Sequence, residues 1–581
     1  MIMKTLNRIY ILAAALLSAA PGLLGQNFNP TVEVTNVYQG DASDIHKPQL
    51  EMAVPDSLLR FDLDFDYEVF DKAYRGAYNF SPYMLDMRPE KDAWRGRTLF
   101  LRAGAGYSLH PDAAFVFSPS LPGRFQMSVY GDHRSYFGNF ADIGVHPADA
   151  AGAAILDEWG VAPWKGRDMT NRFGLEGRVK WNRMLLTTAV EYDGLSTKDN
   201  LWNRNRHDGE VRLRVTSTDP AATFYYDAGF RGRVSQDHLA DVDPSLSERS
   251  FIVDGTVGPV LDESSKVLVG FQLETRSWHR LFDDNAGRIV LNPRYELERG
   301  RWQFRLGARM DVVLPGKTVA LFRPRLFSPD LHVSFNAIER HLNLYAYLTG
   351  GSAAHSWSGL TDTYHFIHPL LLTGADPLVD NSFDKIDVGL GLRGNITPLL
   401  TFSVKGGFAA SQNRPFDAVL FATSRLHPVV SFADCNRLYA DLQAAWRSDR
   451  VSIEGAVQLN RTVFTGLDGD RSASLTPAIE FAPAAVRGDL RFQYWFNPRV
   501  YAGARVAAST ARTGLYAEKV TDGTELRIPG WVDPGLVAGY RLSRVLGFWL
   551  ESGNLLGQAI QRVPLYAEKG PWFTAGITLD F

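Results

Sequence analysis

The carboxy-terminal segment of the chain alternates apolar and polar side chains at every second position. In an extended strand over residues 572–581, one face carries apolar side chains and the other carries mostly polar or small ones. The apolar face comprises Phe573, Ala575, Ile577, Leu579 and Phe581. A β-barrel that spans a membrane needs this alternation, because lipid contacts its outside and water contacts its inside. A soluble sheet with one buried face can show the same pattern, so the rest of the chain must decide.

The alternation recurs many times from residue 97 onward. Val211, Leu213 and Val215, for example, alternate with charged or polar residues. Lipid requires that one face of each strand carry only apolar side chains (one-sided purity), because a charged side chain facing lipid at mid-membrane costs roughly 2–4 kcal/mol. We count roughly 20–24 segments of this kind, and bacterial barrels usually have an even number of strands. The pattern predicts an all-β fold, a large transmembrane antiparallel β-barrel over residues 97–581 with about 22 strands.

The first residues have the three zones of a secretory signal peptide. Basic residues precede the apolar run 9–17, and small residues follow it. We predict that residues 1–25 are a signal peptide, cleaved after about Ala20 or Gly25. No later apolar run reaches the length of about 18 residues that a spanning helix needs.

Composition agrees with a barrel in the bacterial outer membrane. Aromatic residues make up 12% of the chain and there are 51 glycines, a mixture expected where aromatic girdles mark two membrane interfaces. The formal net charge of -3 and the lack of a basic patch argue against a nucleic-acid partner. The single cysteine, Cys435, cannot form an internal disulfide, and we interpret it as a small apolar filler.

Residues 26–96 have a different character. The portion 49–94 is rich in aromatic rings, and its first half is rich in carboxylates opposed, up to Lys72, only by Arg60 and Lys72. The carboxylates are Glu51, Asp56, Asp62, Asp64, Asp66, Glu68 and Asp71. We predict a periplasmic segment that docks on a periplasmic or outer-membrane protein. The alternative is an extended leader that packs against the lumen or rim of the chain's own barrel.

The predicted connections between strands fall into two classes. Short turns are expected at residues 181–183, 298–300 and 496–498, where Asn, Arg, Gly and Pro interrupt the alternation. Long outward-facing loops are expected in stretches rich in Pro, Gly, Asp and aromatics. These stretches are 138–168, 232–248, 351–382, 411–431 and 509–531.

The final residues resemble the last hairpin of the TonB-dependent outer-membrane receptors. The resemblance is carried by Ser552-Gly553-Asn554-Leu555-Leu556-Gly557, by Pro564-Leu565-Tyr566 and by Gly570-Pro571-Trp572-Phe573. A second stretch, Leu372-Thr373-Gly374-Ala375-Asp376-Pro377 followed by residues 386–392, is similar to a loop that leads into a mid-barrel strand of those receptors. The resemblance implies a barrel over residues 97–581 and, as an expectation, uptake of a solute.

The same resemblance implies an amino-terminal plug domain in the lumen and a short peptide that an inner-membrane energy transducer grips. This chain departs from that pattern, because residues 26–96 are few and contain no recognisable plug. A lumen of this width leaks unless something fills it. Polar lumen side chains, loops folded inward or residues 26–96 must therefore close it.

One predicted loop contains the candidate site residues. Trp357, Tyr364 and Phe366 could stack on a ligand, or they could shield a small core of the loop itself. The histidines of this loop lie near serines and an aspartate, as a hydrolase would need, but their spacing matches no catalytic motif. These histidines are His355, His365 and His368. We therefore predict no enzyme activity, no catalytic residue, no metal site and no cofactor.

Two other sets of residues carry predictions. Lumen arginines such as Arg305 and Arg309 could select anions, or could pair across strands with carboxylates such as Asp311 and Glu274 to stiffen the wall. We also predict that one terminal strand is recognised by the barrel-assembly machinery. Its outward-facing residues are Phe573, Ile577, Leu579 and Phe581.

Two functions remain open at the level of sequence. The first is passage or uptake of a solute across the outer membrane, with outer-membrane lipid and the assembly machinery as the expected contacts. The second is a barrel without transport that acts as a scaffold or assembly component and recruits partners through residues 26–96. A hydrolase is a third and weaker reading, because no recognised catalytic motif supports it.

Overall fold

The computed structural model describes most of the chain after residue 97. The described residues are 98–581, with gaps at 108, 120, 122, 141–145, 148–163, 200–202, 220–221, 240–244, 281–282, 315–325, 368–378, 423–424, 466–477, 516–525 and 565. The predicted signal peptide and the predicted periplasmic segment 26–96 therefore lie outside the described residues, as does His368. Within the described part, no helix is long and apolar enough to cross a membrane.

The described residues form strands and one short helix, α1 (Trp357–Thr363). The first strands are β1 (Leu99–Tyr107), β2 (Asp112–Phe117), β3 (Phe125–Phe140), β4 (His146–Pro147), β5 (Trp164–Lys180), β6 (Met184–Lys198), β7 (Asn203–Ser217), β8 (Phe224–Leu239), β9 (Leu246–Pro259) and β10 (Ser265–Arg280). The next are β11 (Asp284–Arg299), β12 (Trp302–Leu314), β13 (Phe327–Ile338), β14 (Leu342–Ala354), β15 (Asn381–Thr397), β16 (Leu400–Ala422), β17 (Arg425–Arg447), β18 (Val451–Phe464) and β19 (Ala478–Phe481). The last are β20 (Val486–Asn497), β21 (Val500–Ser509), β22 (Arg512–Leu515), β23 (Leu526–Ile528), β24 (Trp531–Arg541), β25 (Leu546–Gly553), β26 (Gln561–Val563), β27 (Tyr566–Ala567) and β28 (Trp572–Asp580).

These strands close into a barrel of 22 antiparallel strands, which confirms the predicted fold class. Closure occurs where β1 pairs with β28, in a register that places Phe100 opposite Asp580 and Tyr107 opposite Phe573. The short strands β4, β19, β22 and β23 extend the sheet beyond the wall, and β26 and β27 form a separate hairpin. A closed barrel leaves no sheet edge unpaired, which is the condition for β-structure in lipid.

Alternation along each strand divides the side chains between an apolar outer face and a polar lumen. On β7, Val211 and Leu213 are exposed on the outside, whereas Arg212 and Glu210 form an ion pair with N–O distance 2.5 Å on the other face. On β12, exposed Leu306 alternates with Arg305 and Arg309. The predicted one-sided purity is therefore confirmed on these strands.

Exposed aromatic side chains lie near both ends of the outer face, and Phe173, Tyr192, Phe230, Phe251, Phe408 and Phe492 lie between the ends. The end at which β1 begins and β28 finishes, here called the termini end, carries Phe117, Phe125, Trp181, Phe224, Trp302, Phe496 and Phe581. The opposite end, here called the loop end, carries Tyr107, Phe137, Phe327 and Phe573. Two aromatic bands on either side of an aliphatic belt are typical of a membrane-spanning barrel.

Connections at the two ends differ in length. At the termini end the turns are short, such as the predicted turns that follow β5 and β11. At the loop end the connections after β3, β14 and β21 are long, as predicted. Two predicted loops are wrong in extent. Residues 411–431 belong to a long hairpin of β16 and β17, in which Phe416 pairs with Ser431 and packs in a small apolar core. Much of the second predicted loop, 232–248, belongs to β8 and β9.

Tyrosines lie flat on the lumen wall where glycine is opposite. A Cβ atom built on Gly389 would lie 2.4 Å from the hydroxyl oxygen of Tyr347. A Cβ atom on Gly391 would lie 2.4 Å from the ring of Tyr345. These glycines are required because any larger side chain would displace the ring.

Candidate functional site

The connection after β14 begins with a segment that folds inward. We call residues 355–367 the inner loop. Its helix α1 starts at Ser356, whose Oγ accepts a hydrogen bond of 3.0 Å from the backbone N–H of Gly359. Serine is a preferred N-cap because it satisfies an N–H that the helix leaves without a partner. The local sequence therefore supports one short helix inside a long connection.

The inner loop lies inside the barrel at the loop end. The side chain of Trp357 is fully buried (0% exposed) and belongs to an apolar cluster. The other members are Leu246, Trp278, Leu360, Ile367, Val379, Val430 and Phe432. These residues come from β9, β10, β17, the inner loop and, in the case of Val379, the end of the same connection just before β15. The segment therefore reaches away from β14 and contacts distant parts of the wall.

Glu248 on β9 binds the start of α1. Its Oε2 accepts a hydrogen bond of 2.7 Å from the backbone N–H of Trp357 and another of 2.7 Å from Nε1 of Trp278. Its Oε1 accepts a bond of 3.1 Å from the Oγ of Ser358. Glu248 is only 3% exposed, and a buried carboxylate is tolerated where several donors surround it. Its position at the N-terminus of α1 also suits a negative charge.

Two buried arginines of β7 bind carbonyl groups of the inner loop. Arg204 donates to the backbone oxygen of His365 at 2.8 Å and forms an ion pair of 3.1 Å with Asp237. Arg206 donates to the backbone oxygen of Ser358 at 3.0 Å and forms an ion pair with Asp362. Each guanidinium therefore connects a wall strand to the loop through more than one hydrogen bond.

The ion pairs extend from the loop into the wall. Arg206 and Arg233 both contact Asp208, at 2.9 Å and 2.6 Å. Arg233 also lies 3.6 Å from Asp362. Although burial raises the pKa of Asp362, the charges of Arg206 and Arg233 outweigh it and lower that pKa below its ordinary value. Asp362 therefore stays ionised and keeps the helix attached to the two arginines.

The far end of the inner loop reaches β5 and a second loop. The Nδ1 of His365 lies 2.9 Å from Oδ1 of Asp168 on β5. Burial lowers the pKa of His365, but the charge and hydrogen bond of Asp168 outweigh burial and raise it. The ring of Phe366 stacks on Tyr566 with centroids 4.4 Å apart.

The second loop, residues 554–571, covers the lumen from the side of the carboxy-terminal strand. Tyr566 donates a hydrogen bond of 2.7 Å to Asp199, next to the end of β6. Asn554 occupies a left-handed conformation (φ 48°) and its side chain donates to the backbone oxygens of Gln558 and Lys569 at 2.8 and 3.1 Å. Asn554, one of the residues that carry the resemblance, therefore helps to set the path of this loop.

The two described histidines of the predicted loop contact different partners. His355 contacts Ser382 at 2.9 Å, and burial lowers its pKa to about 3. His365 contacts Asp168, while Ser356 and Ser358 act in helix capping and in binding Glu248. Within the described ranges, no group of three or more His, Cys, Asp or Glu residues could hold a metal ion.

The other predicted residues are placed as follows. Trp357 lies in the apolar cluster and its Nε1 donates to Asp237 at 2.7 Å, while Tyr364 packs against that cluster. Phe366 packs on Tyr566, so all three candidate ligand residues make contacts within the protein. Their contact with a ligand stays a prediction, and their packing favours the alternative that they form a core.

Among the predicted lumen pairs, Arg305 lies 3.7 Å from Glu296 on the neighbouring strand and Glu274 pairs across strands with Arg288 at 2.9 Å, as the pairing hypothesis predicts. Arg309 instead pairs at 3.0 Å with Asp311, two residues along its own strand. Cys435 is fully buried.

The sequence did not reveal the wall residues that hold the inner loop. Glu248, Arg204 and Arg206 resemble any other polar member of an alternating strand. Their one signal is position, since each lies within the first residues of a strand at the loop end. The arrangement can cover part of the lumen at the loop end, with a short helix held to the wall by hydrogen bonds and ion pairs.

Comparisons with known proteins agree with the barrel. No protein-family model and no curated protein matches the chain. Among solved structures, the FrpB iron transporter from Neisseria meningitidis (F3-3 variant) matches with 12% identity and a TM-score of 0.61, covering 84% of this chain and 81% of that one. The pyoverdine outer membrane receptor FpvA from Pseudomonas aeruginosa PAO1 matches with 10% identity and a TM-score of 0.59, covering 84% and 78%. The siderophore receptor PirA from Acinetobacter baumannii matches with 8% identity and a TM-score of 0.57, covering 84% and 80%.

At these identities the likeness concerns the fold. The chain has the barrel fold of TonB-dependent receptors, which confirms the resemblance inferred from its final residues. The second stretch of that resemblance, 372–377, lies outside the described residues.

Proposed function

We propose that this protein lies in the bacterial outer membrane and provides a closable path for a solute. The observation that carries the proposal is the inner loop, which occupies the loop end of a hydrophilic lumen and is held there by Glu248, Arg204 and Arg206. The apolar belt and the aromatic bands of the outer face support a membrane location. The fold of the structural neighbours, which include a transporter and two receptors, supports uptake as the direction of passage.

In this proposal the inner loop is the movable element. Its contacts with the wall are hydrogen bonds, ion pairs and one apolar cluster, so it can leave the lumen without unfolding a wall strand. The pairing of β14 with β15 continues as far as Ala354 and Asn381, which leaves the connection after Ala354 free to change its path. Loops that move between two positions commonly control access to a path.

Electrical recording in planar bilayers tests the proposal. The purified native chain should conduct little, and a variant in which residues 357–366 are replaced by a short Gly-Ser linker should show a wide and stable current. A control replaces residues 262–264, an exposed turn at the termini end, and should behave like the native chain. Equal currents in the native and loop-replaced proteins would contradict the idea that the inner loop closes the path.

The second candidate function is a scaffold without transport. It is favoured by the extent of the buried ion pairs around Arg206, which could hold the inner loop permanently in place. Persistent absence of current in the loop-replaced variant, with an intact barrel, would support the scaffold. Recruitment of the barrel-assembly machinery through Phe573, Ile577, Leu579 and Phe581 fits either function, since all four lie at or near the outer face of the terminal strand.

A further inference from the structure

The outer face of strands β5 to β9 becomes basic where it passes beyond the apolar side chains toward the loop end. Residues an even number of positions apart in a regular strand lie on the same face. The pairings among these strands contain no register shift, so the alternation is not interrupted. An exposed ring and a cation therefore share the outer face in three pairs: Phe173 and Arg167 on β5, Tyr192 and Lys198 on β6, and Phe251 and Arg249 on β9.

We call six outward-facing basic side chains of this sector the outer basic collar. They are Lys165, Arg167, Lys198, His207, His238 and Arg249. Strands in other sectors differ at the same end, because their outward position nearest the loop end is apolar and exposed. These residues are Leu314 on β12, Val463 on β18, Val532 on β24 and Phe573 on β28. The collar is therefore a feature of one side of the barrel.

The cations of the collar lack carboxylate partners within the described part of the chain. Arg167 donates from Nη2 to Oδ1 of Asn203 at 2.9 Å, and this amide leaves its charge unpaired. The side chains of Lys165, Lys198 and Arg249 form no hydrogen bond or ion pair with a described residue. Arg167 and Lys198 also lie directly opposite each other in the pairing of β5 and β6, where like charges repel. An anion bound between them would relieve this repulsion.

Lumen-facing arginines of the same sector do have carboxylate partners. Their nitrogen and oxygen atoms lie at the distances expected for direct contact. Three such pairs are Arg172–Asp193 (2.8 Å), Arg212–Glu191 (2.6 Å) and Arg214–Asp227 (2.6 Å). The chain thus supplies an anion to these cations inside the barrel and supplies none to the collar outside, which indicates that the membrane provides it there.

The collar starts at the depth of the lipid head groups and extends outward. Arg249 follows Phe251 by two residues, which is about 7 Å along the strand, and Arg167 follows Phe173 by six, which is about 20 Å. Lys198 on β6 and Arg249 on β9 are three strands apart, which is about 14 Å across the sheet. The collar is therefore wide enough for a ligand with more than one anionic group.

Aromatic rings form a ladder beside the collar. The rings of Phe173, Tyr192 and His207, on three neighbouring strands, stack with centroid distances of 6.3 Å and 6.1 Å. The hydroxyl of Tyr192 lies 2.7 Å from Nδ1 of His207, which fixes both rings. Rings with a polar tip are common where lipid tails meet head groups. The ladder therefore offers a flat apolar surface next to the cations, as the sugar part of a head group requires.

We propose that the outer basic collar binds a phosphate-bearing glycolipid of the outer leaflet. Arg249 lies at the depth of a head-group phosphate, and Arg167 and Lys198 bind a second anionic group farther from the membrane. A guanidinium binds phosphate through two parallel hydrogen bonds, and basic clusters at a membrane surface bind anionic head groups. The collar lies outside the barrel, so this inference does not depend on whether a solute passes through the lumen.

Native mass spectrometry of the purified full chain tests the binding. The chain is refolded in detergent without bacterial lipid and titrated with lipid A, a phosphate-bearing glycolipid. We expect Arg167→Gln, Lys198→Gln and Arg249→Gln together to weaken the binding of lipid A at least tenfold. The matched control combines Arg450→Gln, Arg499→Gln and Arg544→Gln, which remove three exposed cations from turns at the termini end, and it should bind lipid A like the native chain.

A comparison on the native chain alone keeps the test valid if the collar variant folds poorly. Removing the phosphates from lipid A should weaken its binding to the native chain at least tenfold. Equal binding of lipid A with and without its phosphates would overturn the proposal, and so would equal binding to the native chain and the folded collar variant. An equal loss in the control variant would overturn it too. Inorganic pyrophosphate that binds as tightly as lipid A would show a soluble anion to be the occupant and would overturn the glycolipid.

Discussion

Replacing Glu248 by alanine should release the start of the inner loop from the wall. In the native chain the buried carboxylate accepts two bonds of 2.7 Å, from the N–H of Trp357 and from Nε1 of Trp278, and a third from Ser358. A hydrogen bond to a charged group contributes about 1.5–3 kcal/mol, so loss of the two bonds that come from the inner loop, those of Trp357 N–H and Ser358 Oγ, costs about 3–6 kcal/mol of docking free energy. A loss of about 4 kcal/mol lowers the ratio of docked to undocked loop about 1000-fold.

Two measurements should detect this release. In planar bilayers, the Glu248→Ala variant should spend a much larger fraction of time in a conducting state than the native protein. By hydrogen exchange, the backbone amides of residues 357–363 should lose protection while those of β9 keep it. The control is Glu296→Ala, which removes a lumen carboxylate that binds Arg294 at 2.8 Å and makes no contact with the inner loop. An unchanged current together with unchanged exchange in the Glu248 variant would refute the assignment of Glu248 as the anchor.

Two further predictions concern a pH effect and the wall. The pKa of His365 is raised in the folded chain by its contact with Asp168. The protonated ring therefore stabilises the docked loop fully at pH values below the unfolded pKa of about 6.5. This stabilisation is lost as the pH rises through the higher folded pKa. Exchange of residues 364–367, corrected for intrinsic rates, should therefore speed up between pH 6 and pH 9 in the native chain and show no such step in His365→Gln. The Gly389→Ala variant should lower the temperature at which the barrel loses its heat-resistant gel mobility, because the added methyl meets Tyr347 and costs about 1–3 kcal/mol. Gly209→Ala, whose Cβ meets nothing within 4 Å, should leave that temperature unchanged, and an equal fall in both variants would contradict the packing argument.

The strand pattern was predictable because lipid acts on each residue separately. Every outward position must be apolar whatever its neighbours are, so residues such as Val211 and Leu213 reveal the face without knowledge of the fold. The hairpin of β16 and β17 escaped prediction because it continues past the apolar belt, where that constraint ends. There, Phe416 and Cys435 are buried by each other and by Phe464 rather than facing lipid.

The inner loop was predictable only in part. Its length and aromatic content indicated a long connection, but the partners that fold it inward are remote in sequence. Glu248 and Asp237 lie more than a hundred residues before Trp357, and nothing local marks them as its partners. The alternative that the rings form a small core came closer to the structure, because tryptophan and phenylalanine are more readily buried by a closed lumen than left in water.

The account depends most on lipid contacting one face of each strand and water or protein contacting the other. Cysteine substitutions along β7 test this directly, at Glu210, Val211, Arg212, Leu213 and Arg214. Each variant is labelled with a nitroxide in lipid vesicles, and the collision rate of the label with oxygen is compared with its collision rate with a water-soluble nickel chelate. The account predicts that labels at 211 and 213 collide mainly with oxygen dissolved in lipid, and that labels at 210, 212 and 214 do not. A profile without this period of two would contradict a barrel whose outer face is in lipid.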